Sequence, residues 1–193
     1  MYEYFYGKII ELSPTHCVVE VNGVGWYINI SLQTYAALQI FTETKIFLQQ
    51  IIREDSHQLF GFSDKKERDL FRLLNSVSGI GANTARMILS SLSNEELEVA
   101  ILSENLAVLK SIKGIGTKTA QRLIIELKDK IAKPSGETFS STISFGKIRE
   151  EAISALIMLG FQKNAVEKTV DHILTKQPTL SLEEIVKNAL KEL

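Results

Sequence analysis

Hydrophobic and polar positions follow one period in the first third of the chain and another after it. The runs Tyr2 to Leu12, Cys17 to Val21, Trp26 to Ile30, Lys45 to Ile52 and Leu59 to Phe62 are rich in β-branched and aromatic residues, as half-buried strands are. Ser13-Pro14-Thr15 interrupts the first run, and Asn22-Gly23-Val24-Gly25 supplies turn chemistry between the second and third. A short helical piece, Leu32 to Leu38, fits between the third and fourth. Five short strands in about 60 residues predict a small closed barrel, because an open sheet of that size leaves its edges unpaired.

Residues 64–132 switch to helical periodicity. Asp64-x-x-Glu67 and Ser93-x-x-Glu96 have the capping-box form, in which side chains and first-turn amides satisfy one another. Residues 134–146 are Gly-, Ser- and Thr-rich and read as a flexible linker. Residues 147–193 read as three short helices. The first carries Ala152, Ile153, Leu156 and Ile157 on one face and stops at Gly160. The second begins at Asn164, with Glu167 three residues on. The third is capped by Ser181 with Glu184 and presents Ile185, Ala189, Leu190 and Leu193. A unit of under 50 residues is near the lower limit for independent folding, which fits a tethered interaction module.

Charge changes this picture in one place. The chain has 193 residues and a net charge of −1, but residues 1–62 carry −3, residues 63–133 carry +3 and residues 134–193 carry −1. A polyanion would therefore meet the middle third. No apolar run approaches a membrane span, and the N-terminus lacks the form of a secretory signal. A cytoplasmic protein is expected. Cys17 is the only cysteine, which excludes an intramolecular disulfide and a cysteine-rich zinc cage.

That basic third contains a repeat. Leu74-Asn-Ser-Val-Ser-Gly-Ile-Gly-Ala-Asn-Thr-Ala-Arg-Met-Ile-Leu89 aligns with Leu109-Lys-Ser-Ile-Lys-Gly-Ile-Gly-Thr-Lys-Thr-Ala-Gln-Arg-Leu-Ile124 at an offset of 35 residues, with seven of sixteen positions identical. Each copy reads as helix, Gly-Ile-Gly, helix. Gly79, Gly81, Gly114 and Gly116 allow a tight turn and remove the Cβ that would keep a phosphate from the backbone. Ile80 and Ile115 pin the turn into the core. The amides behind each turn open a helix, where orphan N–H groups and the dipole favour an anion. Asn83, Thr84 and Arg86 in the first copy, and Thr117, Lys118, Thr119 and Arg122 in the second, can add side-chain contacts. Such contacts position DNA without reading bases.

Other phosphate motifs fit badly. A dinucleotide fingerprint needs a third glycine where Thr84 and Thr119 stand, and Gly116-Thr117-Lys118 interrupts a Walker loop. No ATP site and no other cofactor is expected. The competing reading of each Gly-x-Gly is a plain corner between helices, which two matched copies in the only basic third make hard to sustain.

With these motifs in hand, the chain resembles the RuvA family, the DNA-binding subunits of the bacterial Holliday-junction branch-migration complex. The paired hairpins are similar to helix–hairpin–helix motifs. Ile52-Arg-Glu-Asp55 and Leu59-Phe-Gly-Phe62 precede them as in that family, and Val21-Asn-Gly-Val-Gly-Trp-Tyr27 matches its barrel. The resemblance spans essentially the whole chain. It implies an α+β multidomain protein: an OB-like β-barrel over 1–63, a tandem helix–hairpin–helix domain over 64–133, the linker, and a three-helix UBA-like domain over 147–193. It further implies a homotetramer that binds a four-way junction in an open, square form, with one or two tetramers per junction. The partner would be a RuvB-type hexameric AAA+ ATPase engaged by the tail, with a junction resolvase as a further partner and no membrane. The process would be recombination and DNA repair within the SOS response. Glu54 and Asp55 correspond to the family's acidic pin, whose charge would repel phosphates where strands exchange. In one departure, Asn83 stands where the family often has a lysine; Arg86 is the expected substitute.

Remaining candidates carry less. His16, His57 and His172 lack metal-ligand spacing, and Cys17 reads as a core residue. Asp129 and Lys118 are the only residues on which an enzymatic reading, a hairpin glycosylase or nuclease, could rest. Leu159-Gly160-Phe161 ends a tail helix with a turn-borne aromatic. It reads either as a helix stop with Phe161 in the core or as part of an apolar surface for the motor. A general adapter acting mainly through its tail is the third functional reading.

Overall fold

The computed structural model describes residues 1–39, 42–132, 145–177 and 180–193. Two compact units result, Met1–Gly136 and Glu137–Leu193.

The first unit opens with strands β1 (Tyr4–Leu12), β2 (His16–Val21) and β3 (Val24–Ile30), then helix α1 (Leu32–Leu38), then β4 (Glu43–Ile52) and β5 (His57–Phe62). They close into a barrel in the order β1-β2-β3-β5-β4, so every predicted strand and the short helix are present. The turn between β2 and β3 is tighter than expected. Only Asn22 and Gly23 leave the ladder, with φ of 51° and 78°, while Val24 pairs with Val21 and Gly25 with Glu20. Two residues with positive φ match the twist of a hairpin. Cys17, Val19, Ile28, Ile30, Leu38, Ile46, Leu48 and Leu59 fill the barrel.

β5 joins the barrel to the helices. Alternation sends Leu59 into the barrel core, while Phe60 and Phe62 face the other way into the helical core. Both rings lie 5.0 Å from that of Phe71. Barrel and helices therefore pack together within the first unit.

The helices of this unit are α2 (Lys65–Asn75), α3 (Ala82–Ser91), α4 (Asn94–Leu102), α5 (Leu106–Ser111) and α6 (Thr117–Ala132). Ser93 and Glu96 form the expected capping box. Asp64 caps α2 by accepting from the Glu67 amide at 2.8 Å, but Glu67 does not reciprocate. Its side chain is buried and accepts from Ser31 Oγ and from Thr34 Oγ1 (2.7 Å). The i, i+3 spacing marked the cap correctly; the tertiary contact with α1 took the carboxylate.

The second unit packs α7 (Phe145–Met158), α8 (Lys163–Lys176) and α9 (Leu182–Glu192) around Ala152, Ile153, Leu156, Val166, Val170, Ile173, Ile185 and Ala189. Three expectations need correction. Phe145 and Gly146 open α7 instead of ending the linker, whose remaining residues lie outside the described ones. The second helix, α8, begins at Lys163, one residue before Asn164, and its cap Gln162 makes no side-chain bond. Ile157, Leu190 and Leu193 are exposed, because the core of so small a bundle is satisfied by a narrower stripe. Ser181 and Glu184 do form their box.

Candidate nucleic-acid interface

The sequence repeat is a structural repeat. In the first copy Gly79 has φ 90°, the Ile80 amide donates to Val77 O (3.0 Å), and the Ala85 amide to Gly81 O (2.9 Å). In the second, Gly114 has φ 88°, Ile115 N–H donates to Ile112 O (3.0 Å), and Ala120 N–H to Gly116 O (2.9 Å). An L-residue in that left-handed conformation is strained, which is why both positions are glycine. Ile80 and Ile115 are buried at 4% and 5% exposure in one core with Val77, Ile112, Ala85 and Ala120. Each turn is thus nailed down by an apolar plug while its glycines face outward.

The amides behind the turns stay available. Gly81 caps α3 without a side-chain acceptor. Among the described residues, no side chain accepts from the amides of 82–84 or 117–119. A Cβ on Gly79 or Gly116 would meet nothing within 4 Å, so a phosphate can approach both turns.

Charge separates the copies. Lys110, Lys113, Thr117, Lys118 and Arg122 are exposed around the second hairpin. Lys110 and Lys113, unremarkable as single residues, stand opposite Asn75 and Ser78 in the alignment; comparing the copies position by position would have found them. Asn83 is exposed and Thr84 half-buried in the first hairpin. Arg86, the substitute expected beside Asn83, is half-buried and reaches the barrel. Its Nη1 donates to Thr15 O (2.8 Å) and Asn29 Oδ1 (3.4 Å) on the barrel. Arg122 Nη1 reaches Ser78 O at 3.4 Å, so it lies between the hairpins. Lys118 and Thr119 begin the second helix, with Thr119 half-buried.

Glu54 and Asp55 are exposed in the turn between β4 and β5, which closes when the Arg53 amide donates to Ser56 O (2.8 Å). In the tail, Gly160 has φ 100° and Phe161 packs partly against the core of its bundle. Its neighbours Met158 and Leu159 are 86% and 61% exposed, so the core reading of Phe161 and the surface reading of its surroundings hold together. Nothing in the helical spacing singled out Met158.

Cys17 is buried and desolvation pushes its thiol up to about 12, which removes the nucleophilic thiolate. Asp129 is exposed on α6 beside Lys128, whose Nζ is 2.5 Å from Glu104. Among the described residues no His, Cys, Asp and Glu group could hold a metal ion, and no helix is long and apolar enough to cross a membrane.

Three family models match the chain. They are the RuvA N terminal domain over residues 1–61, the SAM-like Helix-hairpin-helix tandem over 71–129, and the RuvA C-terminal domain over 147–193. Among curated relatives, a protein of Parabacteroides distasonis is 51% identical and one of Bacteroides thetaiotaomicron 48% identical. One of Flavobacterium psychrophilum is 46% identical. Each covers 100% of both chains, and each carries the name Holliday junction branch migration complex subunit RuvA. Barrel, paired hairpins and tail all match along their full course, and the chain belongs to the RuvA family.

Proposed function

We propose that this chain is a non-catalytic scaffold that binds four-way DNA junctions through backbone phosphates, holds them open, and recruits a motor for branch migration. The observation that carries the reading is the duplicated hairpin, with its outward glycines, open amides and buried isoleucine plugs. The names of the relatives supply the junction and the process.

Hairpin contacts run through Gly79–Gly81, Asn83 and Thr84, and through Gly114–Gly116, Thr117, Lys118, Thr119 and Arg122. They touch phosphates alone, so binding is independent of sequence. A net charge of −1 per chain is compensated by assembly, since four chains around one junction present eight hairpins at once. Glu54 and Asp55 face the crossover of such a tetramer and disfavour continuous duplex by repelling phosphates. The exposed apolar residues around Leu159, Gly160 and Phe161 meet a RuvB-type hexameric ATPase, and a resolvase reaches the junction's other face. The protein works in the cytoplasm.

A gel shift of a synthetic four-way junction against linear duplex of matched composition, followed by a denaturing gel, tests this. Preference for the junction with intact strands is expected. Equal affinity would remove junction selectivity, and strand cleavage or base loss would revive a hairpin nuclease or glycosylase. Deleting residues from 134 onward should spare junction binding and abolish stimulation of the ATPase; loss of DNA binding would overturn the division of labour.

A further inference from the structure

The hairpins share a backbone but not a cation. Where the second has Lys110, Lys113 and Lys118, the first has Asn75, Ser78 and Asn83, and Arg86 is bonded to the barrel. By its own residues the first hairpin offers a phosphate only amides and neutral side chains.

Arg122 of the second copy reaches Ser78 O at 3.4 Å, and the barrel brings a further cation. Of the six arginines, Arg68, Arg72, Arg86, Arg122 and Arg149 each donate to an acceptor within the protein. Arg53 is the exception: among the described residues its guanidinium has no hydrogen bond or ion pair, and the residue is exposed. It also points at the first hairpin. A Cβ placed on Gly81, the cap of α3, would lie 3.9 Å from Arg53 Nη2, whereas the same atom on Gly116 meets nothing within 4 Å. Arg53 Nη2 therefore lies beside the cap of α3, the helix whose opening amides have no side-chain acceptor. The missing component is an acceptor with negative charge.

We infer that Arg53 is the phosphate-binding cation of the first hairpin, holding a DNA phosphate between its guanidinium and the amides of residues 82–84. The inference rests on the hairpin reading above and adds a residue from outside the repeat. A planar fork of N–H donors suits a phosphate, which it can grip through two oxygens. The position has a consequence for the neighbouring acids. Arg53 closes the same turn that carries Glu54 and Asp55, so a phosphate held by Arg53 fixes that turn against the DNA backbone. Attraction and repulsion then act from adjacent residues, and the acids are held at a set distance from the strand.

The test is the salt dependence of four-way-junction binding by the full chain. Arg53→Ala should weaken binding by about tenfold at physiological salt and lower the slope of log K against log salt by about 0.9 for each phosphate it no longer neutralises. Lys118→Ala should do the same through the second hairpin. Adding Asn83→Lys to Arg53→Ala should restore the slope, because it returns a cation to the same phosphate. An unchanged slope in Arg53→Ala beside a reduced one in Lys118→Ala overturns the role of Arg53 and leaves the hairpin reading standing. Unchanged slopes in both overturn the hairpin reading itself. Failure of Asn83→Lys to restore the slope overturns the assignment of Arg53 to the first hairpin.

Discussion

In the first hairpin, α2 and α3 are fastened to the barrel along their length; in the second, α5 and α6 are held by other helices. Glu67 accepts from Ser31 and Thr34, Arg68 Nη1 donates to Glu3, Arg72 Nε to Gln49 Oε1 (2.6 Å), and Arg86 Nη1 to Thr15 O. Gln33 Nε2 reaches Leu89 O and Leu92 O, each at 2.6 Å. Among the described residues, no side-chain hydrogen bond joins the barrel to α5 or α6. The second hairpin is instead ringed by exposed lysines. One backbone motif, used twice, has divided its work: the first copy is locked in register with the barrel and the second carries the charge. Duplication allowed this because the turn itself is held by a backbone conformation and a buried isoleucine common to both, leaving the side chains around each copy free to diverge.

Truncating the plugs should produce the largest effects and test whether the copies are equal in the core. Ile80→Ala and Ile115→Ala should each cost about 2–5 kcal/mol in denaturant unfolding. A loss confined to Ile80 would mean that only the barrel-bound copy is built into the folding unit.

Smaller losses should follow at the turns. Gly79→Ala and Gly114→Ala force a Cβ into the left-handed region, at about 1–2 kcal/mol each, with junction affinity falling in both. If Gly79→Ala alone left affinity intact, the first hairpin would be a positioning element and no more.

Arginine truncation should split the copies. Arg86→Ala is expected to lower stability by about 1 kcal/mol with little change in the salt slope of binding. Arg122→Ala should flatten that slope and leave stability almost unchanged. The reverse pattern would exchange the roles assigned to the two residues.

The subtlest difference is in pH. Burial raises the Glu67 carboxyl above its ordinary value of 4.5, partly offset by the hydroxyls that donate to it. The folded state then binds the proton more tightly than the unfolded one. The contribution of Glu67 to stability is thus greatest below the unfolded value and is lost as pH rises through the folded one. Glu67→Gln should remove this dependence; an identical stability–pH curve in the variant would show that the carboxylate is better solvated than its burial implies.

Much of the architecture is legible in the chain itself. The strands announce themselves by alternation, the helix starts at Ser93 and Ser181 by their i, i+3 partners, and the hairpins by a 35-residue repeat. These signals are local, and local chemistry decides them. In three places distant neighbours add what spacing does not show. The partners of Glu67 lie 36 and 33 residues back, at Ser31 and Thr34. Arg86 turns to Thr15, and Ile157 and Leu190 stay outside a core already full. In each case spacing fixed which side chains were available and distant neighbours decided what they met.

The sequence by itself determined the barrel strands, the two Gly-Ile-Gly turns and the surplus charge on the second, because periodicity, glycine and lysine act over a few residues. Only the tertiary structure decided that the barrel and hairpins form one body and that Arg86 serves the barrel. It also brought Arg53 over Gly81. Those outcomes depend on β5 burying Leu59 on one face and Phe60 and Phe62 on the other, which sets the barrel against the first hairpin.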